Sequence, residues 1–423
     1  MRKSRIYDRF KDMYSYRKRL IDPLLASLLA TQPAIMLVGP RASGKTTTAL
    51  RHATTTVRLD SPAQAGAFKA DPDAALRNLA EPILLDEWQE VPSVLGAVKR
   101  SVDADPRPGR FIVTGSVRSP LSNEMWPGTG RLTRLSLQGL SVREQLGRTT
   151  APALLDRLRE GLPIEVTQNP PDLRGYVELA LQGGFPSAIE IGDDNASRER
   201  WLESYVDQVV TRDAVALGAI RDPARLRRYF TAYAVNSAGF VSEQTLLEAS
   251  DLDRKTANSY ERLLTDLFVV QPLPAWGTNR LQRLVHGPKR YLVDPSLIGA
   301  LLRADVATVM RDADLLGRLI DTFVLAQLRA EQEVTKCRPV FHHLRERQGR
   351  REIDIIAEVR GQGIIAIEVK SSASPSRADA KHLEWLRDEL GERFVAGVVF
   401  HTGPAQFSLA ERITALPIAS LWP

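Results

Sequence analysis

The feature that most constrains the fold is a short glycine-containing segment between an apolar run and a helical pattern. It follows the apolar residues 34–38 and reads Gly39-Pro40-Arg41-Ala42-Ser43-Gly44-Lys45-Thr46. This spacing matches the pattern G-x-x-x-x-G-K-[ST], in which backbone N–H groups surround nucleotide phosphates. Lys45 is expected to reach the β- and γ-phosphates, and the Thr46 hydroxyl to ligate Mg²⁺. The sequence therefore predicts ATP and Mg²⁺ as cofactors, with nucleotide-binding residues Gly39, Pro40, Arg41, Ala42, Ser43, Gly44, Lys45, Thr46 and Thr47.

Two carboxylates end another apolar run, forty residues after Thr46. Asp86 and Glu87 follow the apolar residues 83–85. Asp86 is predicted to hold Mg²⁺ through water, and Glu87 to polarise the attacking water. Taken alone, this pair would be interpreted as the acidic start of a helix. Together with the loop it favours nucleotide hydrolysis, with Lys45 and Glu87 as the catalytic groups.

A third strand-like run, residues 111–114, ends in polar groups. Thr114 and Ser116 are candidates for sensing the γ-phosphate between the loop and Asp86. The alternative is that Gly115-Ser116 is only a turn, and the sequence leaves both interpretations open.

The order of the patterns predicts an α/β fold with several parts. Short apolar runs that alternate with helical patterns predict a parallel sheet with strands at 35–39, 57–60, 83–86, 111–114 and 132–137. The predicted division is a basic arm, a nucleotide-binding domain, a proline-rich linker, a helical region and a C-terminal domain, with boundaries at 1–20, 21–148, 149–175, 176–303 and 304–423.

Charge and cysteine content narrow the class of protein. The net charge is +6, and residues 1–20 hold eight basic against two acidic side chains, so this arm carries the whole excess. Interleaved with aromatic residues, the arm could follow a phosphate backbone, or it could be a solvated structural helix. The single cysteine, Cys337, excludes an internal disulfide and predicts a cytoplasmic protein. No apolar run is long enough for a membrane span, so no membrane partner is expected.

The middle region predicts a winged helix-turn-helix. Helical patterns at 226–238, 242–250 and 254–268 are followed by two strand-like runs, 268–270 and 291–293. Between these runs lie basic residues, namely Arg280, Arg283, His286, Lys289 and Arg290. The residues expected to face a DNA groove are Arg254, Lys255, Asn258 and Ser259. The alternative is a winged-helix-like module that binds protein.

The C-terminal region places two carboxylates and a lysine on neighbouring strand-like runs. Asp354 lies in the run 353–359, and Glu368 and Lys370 lie at the end of the run 364–369. Glu368 and Lys370 share a face because they are two residues apart in a strand. Asp354 and Glu368 are predicted to hold a second Mg²⁺ or Mn²⁺, and Glu368 and Lys370 to act in phosphodiester hydrolysis. The alternative is a surface ion pair.

Two resemblances follow from these motifs. The chain resembles the bacterial and archaeal AAA-type P-loop ATPases that carry a C-terminal domain of unknown function, and the matching stretches are 39–47, 59–60, 85–92, 111–116, 182–186, Tyr205 with Arg212-Asp213, and 352–370. Ala42-Ser43 departs from the Gln-Val usual in that family's loop. The C-terminal residues resemble the PD-(D/E)XK nuclease core, with the helical pattern 315–329 before the strands and Asp321 where related cores carry a glutamate. The resemblances imply a parallel-sheet ATPase domain, a winged-helix-like middle and a restriction-endonuclease-like end.

Two functional hypotheses result. The first is an Mg-ATP-dependent enzyme that couples hydrolysis to nucleic-acid binding and to metal-dependent cleavage by the C-terminal domain. The second is a nucleotide-gated regulatory scaffold that binds protein or DNA and carries a catalytically inactive nuclease-like domain. A homo-oligomer is also considered, since Arg131 or Arg134 could act on the nucleotide of a neighbouring subunit.

Overall fold

The computed structural model describes residues 16–117, 130–217, 222–239, 243–277, 287–346 and 351–423. Its N-terminal part contains five strands: β1 (Ala34–Val38), β2 (Thr55–Arg58), β3 (Ile83–Asp86), β4 (Phe111–Gly115) and β5 (Thr133–Ser136). They form one parallel sheet in the order β2-β3-β4-β1-β5. The predicted parallel-sheet α/β domain is confirmed, and each predicted strand is present.

Helices cover both faces of this sheet. They are α1 (Asp22–Leu29), α2 (Lys45–Leu50), α3 (Pro62–Ala70), α4 (Pro72–Leu76) and α5 (Val94–Ala104), with a 3₁₀ turn at Trp88–Glu90. Ile35 and Leu37 of β1 pack in one core with Leu25 of α1, whereas Met36 packs in the opposite core with Val98 of α5. Alternate residues of β1 therefore fill different cores, as expected for a strand buried on both faces. This burial fixes the start of the loop that follows β1.

The middle of the chain is helical, as predicted. Its helices are α6 (Val142–Gln145), α7 (Leu154–Glu160), α8 (Leu173–Gln182), α9 (Pro186–Glu190), α10 (Asn195–Gln208), α11 (Ala214–Ala216), α12 (Pro223–Val235), α13 (Glu243–Ser250), α14 (Arg254–Asp266), α15 (Ser296–Leu302) and α16 (Val306–Arg311). A π-helical turn, Val209–Asp213, joins α10 to α11. The three helices of the predicted winged helix correspond to α12, α13 and α14. Asp253 caps α14 by accepting a hydrogen bond from the Thr256 N–H at 2.9 Å.

A narrow ribbon follows α14. It is held by antiparallel bridges between Val270 and Leu292 and between Leu273 and Lys289, and Ala275 bridges in parallel to His343. Arg280, Arg283 and His286 of the predicted wing lie outside the described residues. The residues expected to face DNA, Arg254, Lys255, Asn258 and Ser259, are exposed on α14. Lys289 differs from the prediction: it is only 1% exposed, so it is not a surface wing residue.

The C-terminal part is a mixed six-stranded sheet between two helices. Its strands are β6 (Val340–Arg345), β7 (Glu352–Val359), β8 (Gly363–Val369), β9 (Phe394–His401), β10 (Phe407–Ala410) and β11 (Ile413–Pro417), and its helices are α17 (Ala313–Glu331) and α18 (Lys381–Leu390). The strand order is β10-β11-β9-β8-β7-β6, with β7 antiparallel to β8 and β8 parallel to β9. The predicted hairpin and the helix before it are confirmed.

One expectation about this sheet is wrong. In the sequence, Ile365, Ile367 and Val369 alternate with Glu368 and Lys370, which predicts one apolar face and one polar face for this strand. Ile365 and Ile367 pack in the core that contains Phe323 of α17, but Ile364 and Ala366 also pack in a core, with Leu383 of α18. Because α18 covers the second face, Glu368 is 6% exposed rather than on a solvated surface.

Within the described ranges, no helix is long and apolar enough to cross a membrane.

Candidate functional site

The loop between β1 and α2 starts and ends at glycines with positive φ. Gly39 has φ 153° and Gly44 has φ 90°. A Cβ on Gly39 would lie 2.1 Å from the backbone oxygen of Leu137, so no other residue fits there without a shift of β5's continuation. Of the residues between them, Ser43 is buried and Ala42 is exposed. Thr47, predicted to bind nucleotide, is exposed on the first turn of α2.

Lys45 is folded back onto its own loop. Its Nζ donates to the carbonyl oxygens of Gly39, at 3.1 Å, and Pro40, at 2.7 Å. Burial lowers the pKa of Lys45 to about 8, although Glu87 and Asp86 partly offset this by favouring the charged form. A phosphate that accepted hydrogen bonds from this ammonium group would further favour its charged form.

Asp86 connects the loop to the ends of β3 and β4. Its Oδ1 accepts hydrogen bonds from the hydroxyls of Thr46, at 2.7 Å, and Thr114, at 2.5 Å. Burial raises the pKa of Asp86, and the two hydroxyls partly offset this rise. The structure thus brings together the two residues that the sequence assigned to the nucleotide-bound Mg²⁺, Thr46 and Asp86.

Glu87 adopts a left-handed backbone with φ 58° directly after β3. Its Oε2 accepts hydrogen bonds from the Ser116 hydroxyl, at 3.2 Å, and from the Gln89 side-chain amide. Its N–H donates to the Thr114 hydroxyl at 3.4 Å. Thr114 and Ser116 therefore both lie beside the carboxylates, as the sensing hypothesis requires. Gln89 was missed, since nothing in its spacing separates it from the surface residues of a turn.

The helical region contributes a second side to this site. Arg41, inside the loop, forms an ion pair with Asp213 in the π-helical turn, and its Nε donates to the Ser116 hydroxyl at 3.5 Å. The Tyr205 hydroxyl donates to the Arg41 backbone oxygen at 3.4 Å. Burial raises the pKa of Asp213, and Arg41 counteracts this rise. Tyr205 and Asp213 are among the residues that match the family in sequence, but their contact with Arg41 was not predicted because they lie more than 160 residues from it.

Arg19 supports the loop from the other side. The predicted basic arm counted Arg19 among its surface charges, yet it is 4% exposed. Its guanidinium donates to the backbone oxygens of Ser43 and Gln138, both at 2.8 Å, and its Nε pairs with Glu144 at 2.9 Å. Arg19 therefore belongs to the folded domain. Residues 1–15 of the predicted arm lie outside the described residues.

The side chains present fit a Mg-nucleotide. The buried Ser43 hydroxyl has no hydrogen-bond partner, although it lies in the loop expected to surround phosphates. Lys45 offers an ammonium group, and Thr46 and Asp86 offer the oxygen ligands that Mg²⁺ prefers. Lys45, Thr46, Asp86 and Glu87 would hold the nucleotide, its Mg²⁺ and the attacking water.

The three predicted C-terminal residues also converge. Ile355 pairs with Ile367 across β7 and β8, which places Asp354 opposite Glu368. Lys370 Nζ lies 3.1 Å from Glu368 Oε2, and the Val369 N–H donates to Asp354 Oδ2 at 3.0 Å. Burial raises the pKa of Glu368 well above its usual value, and the neighbouring Asp354 charge adds to this rise.

A second lysine, however, lies between the aspartates of this cluster. Lys289 Nζ is 2.7 Å from Asp321 Oδ2 and 2.9 Å from Asp354 Oδ1. Burial opposes its charge, but the two carboxylates outweigh burial and raise the pKa of Lys289 well above its usual value. Burial raises the pKa of Asp321 to about 6 although Lys289 counteracts it. For Asp354, burial also acts upward, but Lys289 prevails and the pKa is lowered.

The predicted second metal site is not supported. Among the described residues, no group of three or more His, Cys, Asp or Glu side chains is arranged to hold a metal ion. Instead of a metal ion, Asp354 holds the ammonium group of Lys289, which it shares with Asp321. Lysine is scarce in this chain, with 11 among the 57 basic residues, but nothing in the spacing of Lys289 connects it to Asp321 or Asp354.

Comparisons with known proteins agree with this architecture. Family models match at residues 31–146 (AAA domain), 173–308 (domain of unknown function DUF8612) and 316–421 (domain of unknown function DUF4143). Two relatives, the uncharacterized proteins Rv2008c of Mycobacterium tuberculosis (strain ATCC 25618 / H37Rv) and Mb2031c of Mycobacterium bovis (strain ATCC BAA-935 / AF2122/97), are each 28% identical over 93% of this chain and 82% of their own length.

Among solved structures, the Walker-type ATPase PABY2304 of Pyrococcus abyssi aligns with a TM-score of 0.43 and 13% identity. The alignment covers 69% of this chain and 99% of that one. The AAA match includes the loop at 39–46 and both carboxylates after β3, and it supports ATP binding. The chain therefore carries an N-terminal AAA domain of the P-loop ATPase family, matched at 31–146, and a C-terminal DUF4143 domain, matched at 316–421.

Proposed function

We propose that this protein hydrolyses Mg-ATP and uses the nucleotide to change the contact between its loop and its helical region. The observation that carries the proposal is the shared Asp86 oxygen, which accepts hydrogen bonds from Thr46 of the loop and Thr114 of β4. These contacts support the proposal that Thr46 and Asp86 are an Mg²⁺ ligand pair that acts with Lys45 and Glu87. The site therefore has a phosphate-binding cation, oxygen ligands and a carboxylate for water.

Each residue has a distinct task in this proposal. Lys45 leaves the Gly39 and Pro40 carbonyls and donates to the phosphates. Thr46 and Asp86 bind Mg²⁺, which when present neutralises the charge that develops on the phosphate oxygens. Glu87 orients the attacking water and accepts its proton, while Ser116 and Gln89 hold the Glu87 carboxylate. The direct test is phosphate release from ATP with and without Mg²⁺; absence of both binding and Mg²⁺-dependent release would contradict the proposal.

Arg41 supplies the proposed connection to the helical region. Its ion pair with Asp213 joins the loop to the π-helical turn through side chains. A nucleotide phosphate competes with Asp213 for the same guanidinium, because both are anionic partners for its N–H groups. ATP binding is then expected to loosen the π-helical turn from the loop.

Asp213→Asn is expected to raise ATP affinity about three- to ten-fold. The substitution frees Arg41 from an ion pair that is partly exposed and is therefore worth only about 1 kcal/mol. Equilibrium titration with a fluorescent ATP analogue measures the change. Asp207→Asn is the matched control, since Asp207 pairs with Arg227 on the exposed side of α10. Equal affinities for Asp213→Asn and the wild type would contradict the coupling.

Nucleic-acid binding is a second candidate function. The observation that favours it is the exposed face of α14, which presents Arg254, Lys255, Asn258 and Ser259. The basic residues of 1–15 would add contacts to phosphates. The alternative is that the same face binds a protein partner. In that case no oligonucleotide is expected to bind there.

Removing the charges of residues 1–15 is expected to flatten the salt dependence of oligonucleotide binding. This segment holds five basic residues, namely Arg2, Lys3, Arg5, Arg9 and Lys11. If all five neutralise phosphates, the slope of log K against log salt becomes shallower by about 4–5 for duplex DNA. The informative variant replaces these five by glutamine and keeps the aromatic residues; deletion of 1–15 is its companion. The deletion stops before Arg19, which is part of the fold. An unchanged slope would exclude the arm from the contact.

A further inference from the structure

The aspartates of the C-terminal cluster are fully engaged by donors of the protein itself. Asp321 Oδ2 binds Lys289 Nζ, and its Oδ1 accepts a hydrogen bond from the Tyr291 hydroxyl at 3.0 Å. Asp354 Oδ1 binds the same Nζ, and its Oδ2 accepts from the Val369 N–H. Each of the four carboxylate oxygens therefore already accepts a hydrogen bond from a donor of the protein, and two of these donors are the same ammonium group.

Lys289 is held in this position by main-chain contacts as well as by charge. Lys289 and Leu273 exchange two backbone hydrogen bonds, of 2.8 and 2.9 Å. The ribbon is tied to β6 in turn, because the Trp276 N–H donates to the His343 oxygen at 2.6 Å. The ammonium group thus comes from the ribbon after α14, while its partners come from α17 and β7.

The third carboxylate of the cluster belongs to Glu368, and its two oxygens differ in their contacts. Glu368 Oε1 is buried and has no hydrogen-bond partner among the residues that the structure describes, although its other oxygen pairs with Lys370. A buried carboxylate oxygen without a partner is costly. The cluster thus contains three carboxylates and two ammonium groups. Without Lys289, three carboxylates would face a single ammonium group, and this excess of negative charge would attract a hard cation.

We propose that Lys289 is the resident cation of this cluster and stands where a divalent ion would otherwise bind. The ammonium group neutralises Asp321 and Asp354, and it fastens the ribbon of the helical region to the C-terminal sheet. The wild-type protein then takes no Mg²⁺ or Mn²⁺ here. The inference is independent of ATP hydrolysis, and it favours the hypothesis of a catalytically inactive nuclease-like domain over metal-dependent cleavage.

The test measures Mn²⁺ binding in the absence of nucleotide. Calorimetry gives the affinity, and the thermal unfolding midpoint with and without Mn²⁺ is the second readout. The proteins compared are the wild type, Lys289→Ala, Lys289→Gln, Asp354→Asn and the double variant Lys289→Ala/Asp354→Asn. Lys289→Gln keeps a side chain of similar length that ends in a hydrogen-bond donor. It therefore tests the inference even if Lys289→Ala does not fold. Both single Lys289 variants are expected to gain one saturable Mn²⁺ site, with Kd on the order of 10⁻⁴–10⁻³ M as in weak oxygen-ligand sites, and a rise in midpoint on adding Mn²⁺. The double variant is expected to lose this site.

The thermal unfolding midpoint without Mn²⁺ reports on folding of the variants. Wild-type protein without an Asp354-dependent Mn²⁺ site, together with the gain in either single Lys289 variant, supports the inference. It is overturned if wild type binds Mn²⁺ in a way that Asp354→Asn abolishes. It is equally overturned if a single Lys289 variant that still unfolds cooperatively gains no site.

Discussion

Lys45→Ala is expected to lower ATP affinity about 100-fold or more, and Glu87→Gln to keep affinity but lower turnover about 10²–10⁴-fold. Lys45 is the buried cation of the loop, and hydrogen bonds from a charged donor contribute about 1.5–3 kcal/mol each. Glu87 carries the carboxylate beside Ser116 and Thr114. Loss of a general base typically lowers the rate by about 10²–10⁴-fold. Nucleotide titration and single-turnover phosphate release separate the two effects.

Two matched substitutions control this experiment. Lys69→Ala removes an exposed lysine of α3, and Glu90→Gln neutralises an exposed carboxylate three residues from Glu87. Both are expected to leave affinity and turnover at the wild-type level. Undiminished ATP affinity in Lys45→Ala would remove the loop from the proposed site, and full turnover in Glu87→Gln would remove Glu87 from catalysis.

Glu144→Ala is expected to lower the free energy of unfolding of the N-terminal domain by about 3–5 kcal/mol. Glu144 is buried, pairs with Arg19 and accepts hydrogen bonds from the N–H groups of Leu20 and Ser141. Its removal leaves the Arg19 guanidinium buried without a countercharge, which carries a penalty of this size. Because Arg19 also binds the Ser43 oxygen, ATP affinity should fall with stability. Urea unfolding measures the first effect and nucleotide titration the second.

An exposed ion pair provides the comparison. Glu178→Ala breaks the pair with Arg174 on the surface of α8, where the expected loss is about 0.3–0.5 kcal/mol. The stability of Arg19→Lys should lie between that of the wild type and that of Glu144→Ala, since it keeps the charge but not the planar guanidinium that reaches four acceptors. A loss below about 1 kcal/mol for Glu144→Ala would show that the buried pair contributes no more than a surface one.

The sequence was most informative where a motif fixes local geometry. The loop at 39–46 requires glycines, a lysine and a hydroxyl at fixed spacing, and these sit on a buried strand, so both loop and sheet were predictable. The carboxylates after β3 and the hairpin of β7 and β8 followed from apolar runs in the same way. The prediction of Lys370 as the one lysine of the C-terminal cluster failed, because Lys289 also enters it. Residue spacing does not indicate which distant cation reaches such a cluster.

What the sequence by itself determined is the nucleotide loop, the parallel sheet and the convergence of Asp354 with Glu368. These depend on neighbours within a strand, a turn or a hairpin, whose geometry is set by residue spacing. What only the tertiary structure decided is the partner of each buried charge: Arg19 for Glu144, Asp213 for Arg41 and Lys289 for the two aspartates. A buried charge needs a countercharge, but any basic or acidic residue of the chain satisfies that need until packing brings one of them into place.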